Sequence, residues 1–512
     1  GLPFAHERFC WRDATGIRQT RFLSLWDQSS GGEPDRYWGL GRTLSMQMMN
    51  AAIASASDAR QRVDEDAVYA DLGLAHLLRH RVTHGAHVAD LACGMPLGDS
   101  RCAGPAIVGV QLRPMESTLC ISPGAHLFDA VRFVVAQADQ AGAERVVVNA
   151  SVGNIAGPHD GSSMFESAID ALVGERGTEP EAAPVEVVLP EGNSYLSRCH
   201  AWATIDPNCE FPLEWHLRPD DGTSSYLEIW LRPVDAQEDP QYLPLSLTLK
   251  PPGDAGEQEV VWTPETGRPG EALEFALREG RETIAVLGLH SRPANGKHWL
   301  GLLTVAPTAP YGPWRHCAPA GAWQLKIGLG DRNGSVYCNV YSQRDERSFG
   351  HQGRGRQAII EDHLDKVHDE EGRLLLGDVD AFRRRVGTIN GLANGKRSQV
   401  VGGLVRGPDE SLKPARYSSV SIPVDLPAQL RRTLAITEDS PVLHGIHAAG
   451  CRSGSIVALS GTSMAAPQMT RTLAAGKPGA GPASAQDFNG TRRAVVAPDS
   501  ELQARARLRR GR

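Results

Sequence analysis

Three short stretches hold residue types that could do chemistry together if the fold brought them to one place. GTSMAAPQ, Gly461 to Gln468, puts Ser463 behind a glycine-containing turn and at the start of a helical pattern. VTHGAHVADLA carries His84 and His87, and RFLSLWDQS ends a strand pattern on Asp27. A serine hydroxyl is a weak nucleophile at neutral pH, so it needs a base within hydrogen-bond reach and a third group to orient that base. Asp27, His84 and Ser463 are residues of the types those three roles call for, in that order along the chain. The first turn of a helix adds unpaired N–H groups and the positive end of a dipole, which could face a developing oxyanion.

Each residue has a plainer alternative. Serine is also favoured as a helix N-cap, where its hydroxyl accepts a backbone bond. Asp27 could be a solvated turn residue, with Asp13 or an acid of DEDAVYAD (residues 64–71) taking the carboxylate role. His84, His87 and Asp90 form H-x-x-H-x-x-D, a spacing that on a helix could gather metal ligands on one side. That reading leaves GTSMAAP unexplained, so neither a metal nor a cofactor is expected, and His87 is read as a packed structural histidine.

The elements that must position these residues alternate in type up to about Asn208. PAIVGVQL, ERVVVNASVG and VEVVLPEGNS read as strands and HLFDAVRFVVAQADQAG as a helix, the pattern of an α/β sheet with crossover helices. Between about Glu210 and Ser348 the texture changes to short β-rich runs such as SSYLEIWLRP, KHWLGLLTV and GSVYCNVYS, separated by Gly, Pro, Asn and Asp. This predicts an antiparallel β-sandwich inserted into the α/β domain. The expected organisation is therefore residues 1–208 and 349–475 for the divided α/β domain, 209–348 for the sandwich, and 476–512 for a basic, disordered tail ending ARARLRRGR.

Taken together, the chemical stretches resemble the subtilisin-like serine proteases (subtilases). GTSMAAP is similar to the family's nucleophile motif at every position, HGAHVAD to its histidine motif, and LSLWDQS to a diverged form of its aspartate strand. VVVNASVGN resembles the strand lining the primary specificity pocket, VVLPEGNS the strand ending in the oxyanion asparagine, and PARYSS a loop preceding the nucleophile segment. The resemblance covers roughly residues 15–205 and 380–475. It implies a subtilisin-like parallel sheet flanked by helices, with Ser463 as nucleophile, His84 as general base and then acid, and Asp27 orienting the imidazole. It further implies that Asn193 donates its amide to the oxyanion and that Ser151, Val152 and Gly153 offer backbone groups to an extended substrate. Without that context, Gly192-Asn193 would read as an ordinary turn. Two positions depart from the family pattern: Ala86 stands where it has threonine, and Asp90 where it has glycine.

The functional expectation is a serine endopeptidase acting on protein or peptide substrates through an acyl-enzyme. The alternative is a catalytically silent binding protein on the same scaffold, with the sandwich recognising a partner. In the leading reading the sandwich meets substrate or a regulatory partner, or is purely structural. A net charge of −7 from 53 basic and 60 acidic residues spread along the 512 gives no field that would select nucleic acid or an anionic membrane. No apolar run reaches the roughly 20 residues of a membrane-spanning helix. Nine cysteines without a CxxC pair fit neither a disulfide scaffold nor a zinc ribbon, although one Cys317–Cys338 bridge is conceivable. The odd cysteine count and the lack of a visible leader favour the cytoplasm, while secretion stays compatible with an N-terminal segment removed before Gly1.

Overall fold

Short segments with apolar residues on both faces make strands that can only be stable between two covering layers. Val146–Asn149, Val185–Pro190, Gln399–Arg406 and Arg431–Glu438 are such segments, and they pair in parallel in that order. On one face Val185, Val187 and Leu189 pack with Leu127 and Val131 of the Gly124–Gln140 helix and with Phe165 and Ile169 of the Met164–Arg176 helix. Val188, one residue out of phase, joins Ala465, Ala466 and Met469 of the Thr462–Ala474 helix on the other face. The structure, a computed structural model, describes residues 1–496 except 32–34, 103, 105, 114–123, 236–244, 254–257, 263–271, 280–281, 292–297, 311–315, 332, 344–354, 363–366, 379–381, 422–430, 441, 443, 478–483 and 489–491.

The parallel strands do not form one continuous sheet among the described residues. Phe22–Asp27 pairs in parallel with Ile107–Gln111 and antiparallel with Arg42–Ser45, in a separate three-stranded sheet. The expected parallel sheet flanked by helices is thus found, among the described residues, as a mixed α/β arrangement with its parallel strands in two sheets. Among the described residues no helix is long and apolar enough to cross a membrane.

From His200 to Glu361 the chain builds two antiparallel sheets around one apolar core. Strand Trp299–Val305 alternates buried and half-buried side chains along its length, as a strand with one covered face must. Trp215 and Trp323, opposite each other on neighbouring strands, are fully buried in that core beside Trp299. Cys338 lies in the same core as a thiol whose pKa is pushed up by desolvation, and neither it nor Cys317 is in a disulfide. The conceivable Cys317–Cys338 bridge is therefore absent. The chain leaves the parallel sheet after Pro190 and re-enters it at Gln399, as the immediate neighbour of the strand it left.

The expected structureless tail is folded in part. Ser484–Gln486 and Arg492–Ala494 form a hairpin, and Val496 N–H donates to Leu434 O at 2.8 Å, beside the outer strand of the parallel sheet. Its hold comes from a few buried side chains rather than from a periodic apolar face, which is why composition concealed it. ARARLRRGR lies outside the described residues.

Two helices carry the candidate nucleophile and base. Val88 and Leu91 of the His84–Cys93 helix pack against Met464 at the start of the Thr462–Ala474 helix. Further along, the buried Arg471 side chain donates to the carbonyls of Leu91 (2.7 Å), Asp90 (2.6 Å) and Gly94 (2.8 Å), in the last turn and at the cap of the first helix. The helices therefore run parallel, and His84 and Ser463 stand at the same end of the pair. Arg471→Met should lower the stability of the protein by about 2–4 kcal/mol, because it strips three buried carbonyls of a charged donor; chemical denaturation of the two proteins measures this.

Candidate active site

Ser463 is the second residue of its helix, and the cap position is held by Gly461 at a φ of 123°, backbone that a side chain would strain. The serine is thus not the cap. Pro467, inside the helix, has no N–H to offer the carbonyl four residues back, which is that of Ser463. Ser151 Oγ makes up the loss by donating to Ser463 O at 3.0 Å. A proline inside the motif thereby ties the substrate-strand candidate to the nucleophile.

Asn193 follows Gly192, whose φ is 112°, after the Val185–Pro190 strand. Its Oδ1 accepts from the Thr462 N–H at 2.9 Å and from Thr462 Oγ1 at 3.0 Å, while Thr462 Oγ1 accepts from the Gly192 N–H at 3.1 Å. A backbone N–H can only donate, so the atom facing it must be the oxygen. The amide Nδ2 is then the end that donates, and the side chain as a whole is exposed.

His84 opens its helix behind Thr83, whose hydroxyl accepts from the Ala86 N–H at 3.3 Å. The residue is exposed, yet enough protein surrounds the ring that lost solvation holds its pKa below the ordinary histidine value. A neutral imidazole near pH 7 is the form a general base requires. Asp27 ends its strand as expected and is 2% exposed. Its Oδ1 accepts from Ser29 N–H at 3.0 Å and Ser29 Oγ at 2.6 Å. No hydrogen bond joins the side chains of Asp27, His84 and Ser463 among the described residues. Such contacts are often long until substrate tightens them.

Four of the other carboxylates are engaged elsewhere. Asp13 bonds Thr15 and Ile17 within its own exposed turn, Asp64 caps a helix, Glu65 holds Ser453 and Asp66 pairs with Arg452. His87 is fully buried and donates from Nε2 to Ile446 O at 2.9 Å. Asp90 pairs with Arg8 at 2.7 Å and accepts from the Ala449 N–H at 2.8 Å. His87 and Asp90 thus have structural partners, and no group of three or more His, Cys, Asp or Glu among the described residues could hold a metal.

Of the expected substrate backbone groups, those of Val152 are already used. Its N–H donates to Ala150 O at 2.8 Å, and its carbonyl accepts from Asn390 Nδ2 at 3.1 Å. Asn390 also donates to Pro190 O at 3.0 Å, so it bridges the two strand ends that carry Ser151 and Asn193. Tyr417 is a further participant, its hydroxyl accepting from the Gly461 N–H at 3.0 Å. The sequence reading passed over Asn390, because its contacts lie 200 residues or more away in sequence. Tyr417 lies in PARYSS, so a signal for it was present.

No protein-family model matches this sequence, and no curated protein matches it. Among solved structures, the CspB protease of Clostridium perfringens matches with a TM-score of 0.58 and 17% identity, over 93% of this chain and 79% of that one. At that identity the likeness is one of fold, and a fold by itself does not specify a reaction.

Burial depresses four histidines, His6, His87, His159 and His200, to about 4. Between that value and the unfolded value of about 6.5 the unfolded chain binds more protons than the native one, so stability is full above this window and falls as pH drops through it. The urea midpoint should decline from pH 7 to pH 4.5; a midpoint that holds level would show that these rings are not buried as neutral groups.

Proposed function

We propose that this chain is a serine endopeptidase of subtilisin-like type, hydrolysing peptide bonds through an acyl-enzyme. The observation that carries this reading is the convergence on one helix N-terminus: Ser463 on its first turn, Asn193 oriented by Thr462, Ser151 bonded to the Ser463 carbonyl, and the His84 helix packed alongside in parallel. In the first step Ser463 Oγ attacks the substrate carbonyl while His84 accepts its proton. Asp27 holds the imidazole and stabilises its charged form. The carbonyl oxygen becomes an oxyanion, met by Asn193 Nδ2 and the backbone N–H of Ser463 at the positive end of the helix. His84 then gives the proton to the leaving amine, and water, deprotonated by the same ring, releases the acyl group. Substrate main chain pairs with Ser151 and Gly153 as an added strand, which grips many sequences alike.

The expected division into residues 1–208 and 349–475, with a β-sandwich at 209–348, belongs to this reading, the antiparallel strands widening the sandwich to His200–Glu361. Glu228 of the six-stranded sheet accepts from the Gly157 N–H at 2.8 Å, and His298 meets Asp160 at 2.7 Å. Both contacts fall on the loop that continues from Ser151–Gly153, which supports a bracing role for the sandwich beside recognition of substrate or a regulatory partner.

Ser463→Ala should abolish both peptide cleavage and labelling by a fluorophosphonate; labelling that persists in the variant sinks the proposal. Asn193→Ala should cost about 100- to 1000-fold in kcat with little change in KM, as for loss of one oxyanion donor. Because the base acts as the neutral ring and its pKa is lowered, kcat/KM should fall only below the ordinary histidine value of about 6.5 and stay level from there to pH 8. A midpoint above pH 7 in the measured profile would exclude His84 as the base.

A further inference from the structure

The folded part of the C-terminal segment bears directly on the turn that carries Asn193. Glu191, two residues before that asparagine, is fully buried. Its place is made by Gly402, where a Cβ would lie 2.2 Å from Glu191 Oε2. Glu191 Oε1 meets Arg493 Nη1 at 2.7 Å and Arg432 Nη1 at 3.6 Å, and Arg493 Nη2 reaches Asp487 Oδ2 at 2.5 Å. Two carboxylates and two guanidiniums form a neutral buried set, the condition under which burial of charge is tolerated. Asp487 and Arg493 both come from the C-terminal segment, at the end of one hairpin strand and within the other.

The same segment touches the turn on its other side. Phe488 stacks on Tyr195, two residues after Asn193, with ring centroids 4.1 Å apart and planes 9° from parallel. The segment is itself anchored, since Ala485 and Val495 pack with Leu404 and Leu434 of the parallel sheet. Residues 191 and 195 are thereby held from outside, with Gly192, Asn193 and Ser194 between them. Backbone bonds from the Gly192 N–H to Thr462 and from the Ser419 N–H to the Gly192 carbonyl fix the middle of the turn, and the contacts on residues 191 and 195 add side-chain anchors at its two ends.

We infer that the segment Ser484–Val496 is a positioning element for the oxyanion turn, acting through Arg493 on Glu191 and through Phe488 on Tyr195. The inference rests on the peptidase reading above. Neither Arg493 nor Phe488 touches substrate; their effect passes through the placement of Asn193 Nδ2. Displacement of a catalytic donor by about 1 Å can cost on the order of 100-fold in rate, so a modest loosening should be visible in turnover.

The test uses the full chain carrying Arg493→Met or Phe488→Leu, each alone and combined with Asn193→Ala. In the otherwise unchanged protein each should lower kcat about tenfold or more with KM within about twofold, and in the Asn193→Ala background each should cost less than about twofold. Equal losses in both backgrounds, or kcat unchanged by both substitutions, overturn the inference. Hydrogen exchange of the amides at residues 191–195, read in the same proteins, needs no activity. Faster exchange confined to this turn supports the inference, and unchanged exchange overturns it. If the unsubstituted protein shows no Ser463-dependent labelling, the peptidase reading fails while the exchange result still decides whether the segment holds the turn. Should Arg493→Met not fold, Phe488→Leu leaves the charged set intact and carries both measurements.

Discussion

The arrangement depends first on one guanidinium. Arg471, near the end of the Ser463 helix, gives its protons to three carbonyls at the end of the His84 helix. This joins the two helices at their far ends, while Val88, Leu91 and Met464 join them at their near ends. With both junctions made, the nucleophile and the base cannot slide relative to each other without unpairing buried polar groups. A buried carbonyl without a partner costs about 1–3 kcal/mol, whereas an exposed ion pair would be worth a fraction of that. The register of the site is thus set by main-chain acceptors, which substitution of side chains cannot remove.

Around that pair, each further group is fixed by a partner whose chemistry permits one orientation. Thr462 decides which end of the Asn193 amide turns outward, since its N–H cannot accept. Pro467 frees the Ser463 carbonyl, and Ser151 takes it up. Asp90, where the resembled family has glycine, binds Arg8 and the Ala449 N–H, so it fastens the N-terminal segment and a late strand pair to the same helix. The added carboxylate serves packing rather than proton transfer.

Much of the candidate site was legible in the sequence because its parts are local. A strand ending in Asp27, a glycine turn before Asn193 and a serine at a helix start are each written within a few residues, and the structure places them on those elements. What stayed hidden is long-range. Arg471 reads as one more polar helix residue until its acceptors, some 380 residues away, come into contact. Asn390 and Arg493 are silent for the same reason, and the folded hairpin within 476–512 looked like a solvated basic run because buried charge and solvated charge have the same composition. The antiparallel region was visible from its strand spacing, but the division of the parallel strands into two sheets left no trace in their periodicity. Cys317 and Cys338 show the opposite error, two residues that spacing makes eligible and that the fold leaves without a disulfide.

The neighbouring parallel strands Val185–Pro190 and Gln399–Arg406 are separated in the chain by the whole antiparallel region. Contacts of this kind are slow to form, since the entropy of closing the loop is lost before any ladder is gained. A chain made from its N-terminus therefore completes the strands from His200 to Glu361 while the strand ending at Pro190 still lacks its partner. The Ser463 helix, whose bonds to Asn193 and Ser151 span 269 and 312 residues, comes later still. The order of synthesis brings these groups together last, so the emerging polypeptide carries His84 and the Asn193 turn long before the Ser463 helix exists to meet them.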